Sequence, residues 1–204
     1  FIVLVKRKQN REKMVICGME KPYIVDQKFE KESTLAIGEY EHCVFKNCLF
    51  ESADFQQFQF IDCVFESCNL SLVKLSGASL QKVHFKDCKM QGLRFEACNP
   101  FLFEVSFDTC VLNLSSFYQI KGKKTKFAGC SLHEVDFTEA DFSEAVFDDC
   151  DLAGALFDQT NVSKADFRSA FNFVIHPSIN QIKKAKFSQD GLAGLLQGFD
   201  ISIT

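Results

Sequence analysis

Cys-Val-Phe-Lys-Asn at 43–47, Cys-Leu-Phe-Glu-Ser at 48–52 and Ala-Asp-Phe-Gln-Gln at 53–57 set a beat of five residues. The beat returns as Val-Asp-Phe-Thr-Glu at 135–139, Ala-Asp-Phe-Ser-Glu at 140–144 and Ala-Asp-Phe-Arg-Ser at 165–169. Each pentad has a large apolar centre, a small residue two positions before it, and mostly polar residues elsewhere. A period of five fits neither the 3.6 of a helix stripe nor the 2 of strand alternation.

A longer period contains the short one. Cys48, Cys68, Cys88, Cys110, Cys130 and Cys150 follow at intervals of 20, 20, 22, 20 and 20, and Phe45, Phe65, Phe85, Phe107, Phe127, Phe147, Phe167 and Phe187 keep the same time. Four pentads therefore close one square coil, and coils stack as parallel strands about 4.8 Å apart. Such a unit cannot bury its own apolar edge and depends on its neighbours. The centres fall into four columns: the Phe column (first face), Phe50 to Leu152 (second), Phe55 to Phe157 (third), and Phe60, Leu80, Pro100, Gly122, Phe142 and Val162 (fourth). The interval of 22 places a two-residue bulge near Asn99-Pro100-Phe101-Leu102, since proline lacks a ladder donor. Gly122 in a centre position predicts an indented or bulged wall.

The pattern resembles the pentapeptide-repeat family, whose consensus is Ala-(Asp/Asn)-(Leu/Phe)-X-X, over roughly residues 38–187. The resemblance implies an all-β right-handed quadrilateral β-helix. The domains expected are an N-terminal extension and lead-in (1–37, with an edge strand at Tyr23-Ile24-Val25), the β-helix (38–187), and a C-terminal cap or dimerisation tail (188–204). Within the extension, Met19 or Met14 reads as a start, and the apolar run Phe1–Val5 is too short to span a membrane.

After Phe167 the beat lapses, with Ser178 to Ala185 read as a short helix or irregular turn, and Ala185-Lys186-Phe187 restores it. Ser188 then suits the N-cap of a helix through Leu192, Leu195 and Leu196, with Gly198 as its stop. Phe199, Ile201 and Ile203 alternate with polar residues as a short strand. This tail covers the open end of the solenoid. It also resembles the C-terminus of the quinolone-resistance pentapeptide-repeat proteins, which implies a homodimer through Leu192, Leu195, Leu196, Phe199, Ile201 and Ile203. The same resemblance implies a cytoplasmic protein whose partner is DNA gyrase or topoisomerase IV.

Nine of the ten cysteines occupy the small inward position, where a free thiol serves as a small hydrophobe. Side chains in one register suit disulfide torsions and tetrahedral metal cages poorly, so reduced thiols and a cytoplasmic location are expected. No cofactor is called for. His42, His84, His133 and His176 fall at outward or irregular positions without acid partners by register, and no phosphate loop or nucleophile elbow appears. A non-enzymatic protein is expected.

The net charge of −4 argues against direct nucleic-acid binding. Charge is uneven, however. Ala128 to Thr160 carries nine carboxylates and no Lys or Arg, a density close to the duplex phosphate charge over about 8 Å of rod. Glu134, Glu139, Glu144, Asp148, Asp149 and Asp158 form the candidate partner-binding acidic patch of a DNA mimic; the other reading is solvated surface spread over four faces. The Lys121–Lys126 run is read as a solvated bulge or as a contact for nucleic acid or an acidic partner. The two functions in view are a DNA mimic that binds type II topoisomerase and a protein-interaction scaffold with another partner.

Overall fold

The centre of a pentad points inward, so the residues before and after it point out, and these three residues make a strand. The computed structural model describes residues 21–199 and 201. They wind into a parallel β-solenoid of about eight turns that ends in one short helix. The strands are β1 (Tyr23–Val25), β2 (Lys28–Glu30), β3 (Glu39–Glu41), β4 (Val44–Lys46), β5 (Gln59–Ile61), β6 (Val64–Glu66), β7 (Ser79–Gln81), β8 (Val83–Lys86), β9 (Val105–Asp108), β10 (Lys126–Ala128), β11 (Val146–Asp148), β12 (Asp166–Phe167) and β13 (Lys186–Phe187). The first face is a nine-stranded parallel sheet, β2-β4-β6-β8-β9-β10-β11-β12-β13. The fourth face is a four-stranded one, β1-β3-β5-β7, continued after the bulge by single bridges Lys121↔Asp141↔Asn161↔Gln181. The second and third faces are held by similar isolated bridges, such as Asn69↔Lys89 and Asp136↔Leu156. Winding is already under way in the lead-in, where Ile24 lies under Tyr40 and Phe29 under Phe45.

The Phe column makes the core continuous. From Phe29 to Phe187 successive rings stack with centroids 4.5 to 5.5 Å apart. Across the coil the rings meet edge to face, as at Phe117–Phe127, 5.9 Å and 88°. Each such pair contributes about 0.5–1.5 kcal/mol beyond burial. In the coils where Leu70, Leu75, Leu80 and Met90 replace phenylalanine, the core holds a void of only about 20 Å³.

The corners show a regularity that the pattern of residue types does not announce. The last residue of nearly every pentad has a left-handed backbone (Gln57, Leu72, Lys82, Leu114, Lys124, Glu134, Glu139, Glu144 and Lys164 among them), with φ between 49° and 64° for these and all other non-glycine residues of positive φ. This conformation costs an L-residue roughly 1–2 kcal/mol. It is offset because the same residue's N–H reaches a carbonyl of the next coil, as Glu139 N to Asp158 O at 2.8 Å. At many corners the centre's carbonyl also accepts from the next pentad's first N–H (Ala140 N to Phe137 O, 3.1 Å), closing a turn whose third residue needs positive φ.

Cysteine, with the exception of Cys98, marks corners that lack this turn bond. At the corner from first to second face, Cys48 N and Cys68 N instead donate to the sulfur one coil on, Cys68 and Cys88, each at 3.4 Å. The Cys68 and Cys88 thiols donate back to Phe45 O and Phe65 O at 3.3 and 3.4 Å. Where alanine takes the column over, the turn bond returns, Ala170 N to Phe167 O at 3.2 Å. Ser115 and Asn180 perform the sulfur's task at other corners. The small position thus pairs backbone groups as well as filling space. Cys43, Cys48, Cys63, Cys68, Cys88, Cys98, Cys110, Cys130 and Cys150 are free and buried; Cys17 and the Met14 and Met19 starts lie outside the described residues.

Three expectations are corrected. Gly122 neither bulges nor dents the wall: the Phe142 ring of the next coil fills its place, and a Cβ on Gly122 would lie 2.5 Å from Phe142 Cε1. Pro100 is exposed rather than a centre, while Phe101 and Leu102 form the tip of the bulge, 66% and 59% exposed. After Phe167 the coil does not lapse. Phe173 and Ile175 fill the interior, Asn180 is buried, and Gln181 bridges Asn161; Ser178 to Ala185 is turn and rung, not helix.

Phe127→Ala is expected to lower unfolding free energy by about 3–5 kcal/mol, and Gly122→Ala by about 1–3 kcal/mol through overpacking, both read from urea denaturation. Cys68→Ala should cost more than Cys98→Ala, because the Cys68 sulfur pairs Cys48 N, whereas Ala78 N, one coil before Cys98, already has its turn bond to Leu75 O at 2.9 Å; equal costs would reduce the sulfur to a volume filler. Burial pushes the Cys63 and Cys98 thiols up to about 12 and Cys48 to about 11. All nine described thiols are buried and should resist alkylation in the folded protein near pH 8 and react once it is denatured.

Candidate functional site

Stacking in register turns a linear distribution of charge into columns. In the three coils of residues 110–159, positions flanking the centres of the second and third faces are Val111, Asn113 and Leu114, Ser116, Tyr118 and Gln119, then Ser131, His133 and Glu134, Asp136, Thr138 and Glu139, then Asp151, Ala153 and Gly154, Leu156, Asp158 and Gln159. This flank carries Glu134, Asp136, Glu139, Asp151 and Asp158 and no Lys or Arg. Glu139 and Asp158 are neighbours across a coil boundary. Glu139 accepts from Gln119 Nε2 at 2.7 Å and from the Tyr118 hydroxyl at 3.4 Å, and its charge raises the Tyr118 pKa. Leu114, Tyr118 and Leu156 are exposed between the carboxylates.

The six acids of the predicted patch do not share one surface. Glu134, Glu139 and Asp158 lie on this flank. Glu144 sits on the opposite corner, where Lys123, Lys164 and Lys124 surround it at 3.1, 3.7 and 4.0 Å. The hydrogen bond and charge of Lys123, with the charges of Lys164 and Lys124, hold its pKa below the usual carboxylate value. Asp148 and Asp149 belong to the first face, and Asp148 accepts from Ser169 Oγ at 2.7 Å. Beside them Asp166, held at a pKa of about 2 by its hydrogen bonds from Arg168, also meets Lys186. Asp136 and Asp151, which the family consensus accounts for, complete the flank in place of these three. Asp136 does also cap its own turn, accepting from Thr138 N at 2.9 Å.

His133 does have an acid partner, contrary to the register argument. Its Nε2 lies 2.8 Å from Asp151 Oδ2 across two coils of the second face. Burial opposes the Asp151 charge, but Asn172 and His133 hydrogen bonds bring its pKa below the ordinary value. No hydroxyl or thiol among the described residues bonds to this pair; Ser131 Oγ bonds to Asn113 Oδ1 at 2.7 Å. Among the described residues no group of three His, Cys, Asp or Glu side chains is placed to hold a metal ion, and no helix is long and apolar enough to cross a membrane.

The tail begins as its capping chemistry dictates. Ser188 Oγ accepts from Gly191 N at 3.2 Å, and a helical run follows: a 3-10 turn Asp190–Leu192, helix α1 (Ala193–Leu196) and a second 3-10 turn Gln197–Phe199. Gly198 does not stop it. Its lack of a side chain admits His176, whose Nδ1 would lie 2.1 Å from a Cβ. Gly194 likewise packs on Phe173, and Ile175 N bonds Gly194 O at 3.0 Å, so the helix closes the end of the rod. Of the predicted dimer contacts, Leu195 is buried in this closure and Leu196 is half-buried, whereas Leu192, Phe199 and Ile201 are exposed by 47%, 53% and 56%. Phe199 lies in the last 3-10 turn and Ile201 in no strand; Ile203 lies outside the described residues.

A parallel solenoid of stacked five-residue rungs with a closed C-terminal end defines a repeat protein. A family model for a pentapeptide repeat region matches residues 39–117, and one for pentapeptide repeats in nine copies matches residues 123–166. The chain belongs to the pentapeptide-repeat family. No curated protein sequence matches it significantly. Among solved structures, it is similar to a trypsin-treated variant of QnrB1, a plasmid-mediated fluoroquinolone resistance protein, with 18% identity over 89% of this chain and 97% of that one and a TM-score of 0.45. Full-length QnrB1 gives 13% identity, coverage of 87% and 99%, and a TM-score of 0.39. HetL, a pentapeptide-repeat protein involved in heterocyst differentiation regulation from the cyanobacterium Nostoc sp. strain PCC 7120, gives 12%, coverage of 84% and 90%, and 0.36.

Proposed function

We propose that this chain is a non-enzymatic binding protein of the cytoplasm that presents its second and third faces to a type II topoisomerase, DNA gyrase or topoisomerase IV, as a mimic of the duplex, and so modulates quinolone susceptibility. The observation that carries the reading is the separation of charge around the rod: in the three coils of residues 110–159, those two faces carry five carboxylates and no Lys or Arg. A surface that accepts DNA is basic, and complementary potential steers such encounters and suppresses wrong partners. The rod's stiffness keeps the carboxylates at fixed spacing, as phosphates are. Exposed Leu114, Tyr118 and Leu156 favour a second reading, a scaffold for another basic protein, because phosphate backbones offer no apolar side chains.

The tail extends the proposal to a homodimer. Leu192, Phe199 and Ile201 remain exposed after the end is closed, and a symmetric interface would use this patch on both copies. Light scattering should report a dimer that a Phe199→Asp, Ile201→Asp variant converts to monomer. A wild-type monomer at tens of micromolar leaves the tail as a cap alone.

Purified protein is expected to inhibit gyrase supercoiling, with binding that weakens as salt rises because the carboxylates are exposed. Replacing Glu134→Gln, Glu139→Gln and Asp158→Asn together should weaken binding about tenfold, the order expected for a few rim charges, with circular dichroism unchanged. Supercoiling untouched by micromolar protein at low salt ends the topoisomerase reading and leaves the scaffold.

A further inference from the structure

The fourth face of the last four coils is the counterpart of the acidic flank. Lys121, Asp141, Asn161 and Gln181 stack as bridged rungs, which places Lys123, Ser143, Ser163 and Lys183 in the parallel column and Lys124, Glu144, Lys164 and Lys184 along the corner. The corner register is fixed by Lys124 N to Ser143 O, Glu144 N to Ser163 O and Lys164 N to Lys183 O, each at 2.9 Å. These twelve outward positions hold six lysines against Asp141 and Glu144. Glu144 is shared by Lys123, Lys124 and Lys164. Lys121, Lys183 and Lys184 are exposed and make no ion pair among the described residues. The net charge of −4 therefore conceals a surface of the opposite sign.

The chemistry of this face selects its partner. Every outward side chain on it is Lys, Asp, Glu, Asn, Gln or Ser. A protein interface draws its energy from buried aromatic, arginine or apolar anchors, and this face has none. Nor has it an aromatic platform for unstacked bases. Point charges with interleaved amides and hydroxyls are what a phosphate backbone requires, since backbone contacts position a duplex without reading its sequence. The four rungs extend over about 14 Å at the strand spacing, a length along which one DNA strand carries about four phosphates.

We propose that the fourth face, through Lys121, Lys183 and Lys184 with Lys124 and Lys164 beside them, binds the phosphate backbone of duplex DNA without sequence preference. The surface is distinct from the acidic flank, so the two readings stand or fall separately. Four neutralised phosphates predict a log–log salt slope of about −3.6, or a loss of roughly a hundredfold in affinity between 50 and 200 mM salt.

The test is fluorescence anisotropy of a short labelled duplex titrated with the full chain across that salt range. A Lys121→Glu, Lys183→Glu, Lys184→Glu variant is expected to lose at least tenfold in affinity. A control carrying the same change in net charge elsewhere, Lys74→Glu, Lys86→Glu, Lys89→Glu, should lose less than threefold. Circular dichroism and urea denaturation check that both variants remain folded. The proposal is overturned by absence of duplex binding at low salt or by equal losses in the two variants. It is also overturned if vesicles of anionic phospholipid or polyglutamate compete for the face more tightly than unlabelled duplex.

Discussion

The backbone hydrogen bond from one coil to the next governs this molecule. Each coil offers its N–H and C=O groups up and down the rod, so a residue must lie over its equivalent and the circumference must stay at one value. Twenty residues satisfy this, and the 22-residue interval is absorbed by extruding Phe101 and Leu102. The same bond explains the corners. It tolerates left-handed glutamates, lysines and leucines, which would otherwise be unfavourable, because their amides meet a carbonyl of the neighbour. It also explains the cysteines: where a strand leaves the corner turn open, sulfur accepts from the unpaired N–H and its S–H donates to a carbonyl. Burying a polar backbone group without a partner would cost about as much as a lost hydrogen bond.

The parts of the fold that depend on side-chain type were legible in the sequence. Phe45 to Phe187 mark the first face, the thiol column marks its corner, and Pro100 marks the bulge. What escaped depends on pairing that is blind to residue type. Asn180 and Gln181 continue the solenoid because the amide of Asn180 performs the task of a cysteine, and no consensus letter announces that. Gly122 looked like a defect because the ring that repairs it, Phe142, belongs to the next coil. His133 and Asp151 meet because one follows its centre and the other precedes its own, an offset of 18 residues rather than 20. The acidic segment was read along the chain, whereas contact runs across it. Sorting by column moves Glu144 into a nest of lysines and brings Asp136 and Asp151 beside Glu139.

Sorting by column also reveals the rod's asymmetry of charge. One flank has carboxylates with exposed leucines and a tyrosine; the opposite face has lysines with amides and hydroxyls. Both are carried by walls whose inward side is packed hydrocarbon, so neither can yield when a partner approaches. Recognition on such a body relies on fixed spacing, with little ordering entropy lost on contact. The C-terminal helix closes one end and still leaves Leu192, Phe199 and Ile201 facing out, which separates the end of the rod from its sides as places of contact.

Gly122 beneath Phe142 shows that neighbouring coils are matched to one another in volume. Repeat proteins are commonly thought to grow and shrink by gaining or losing whole units, which identical units permit. Here, excision of one coil would leave every backbone rung in register and still bring Gly122 opposite Val162, with no ring to occupy the gap. The coils behave as numbered parts, not as interchangeable ones. Length variation in a lineage carrying this core would be confined to places where adjacent coils are volume-neutral, or would have to arrive together with a compensating change next door.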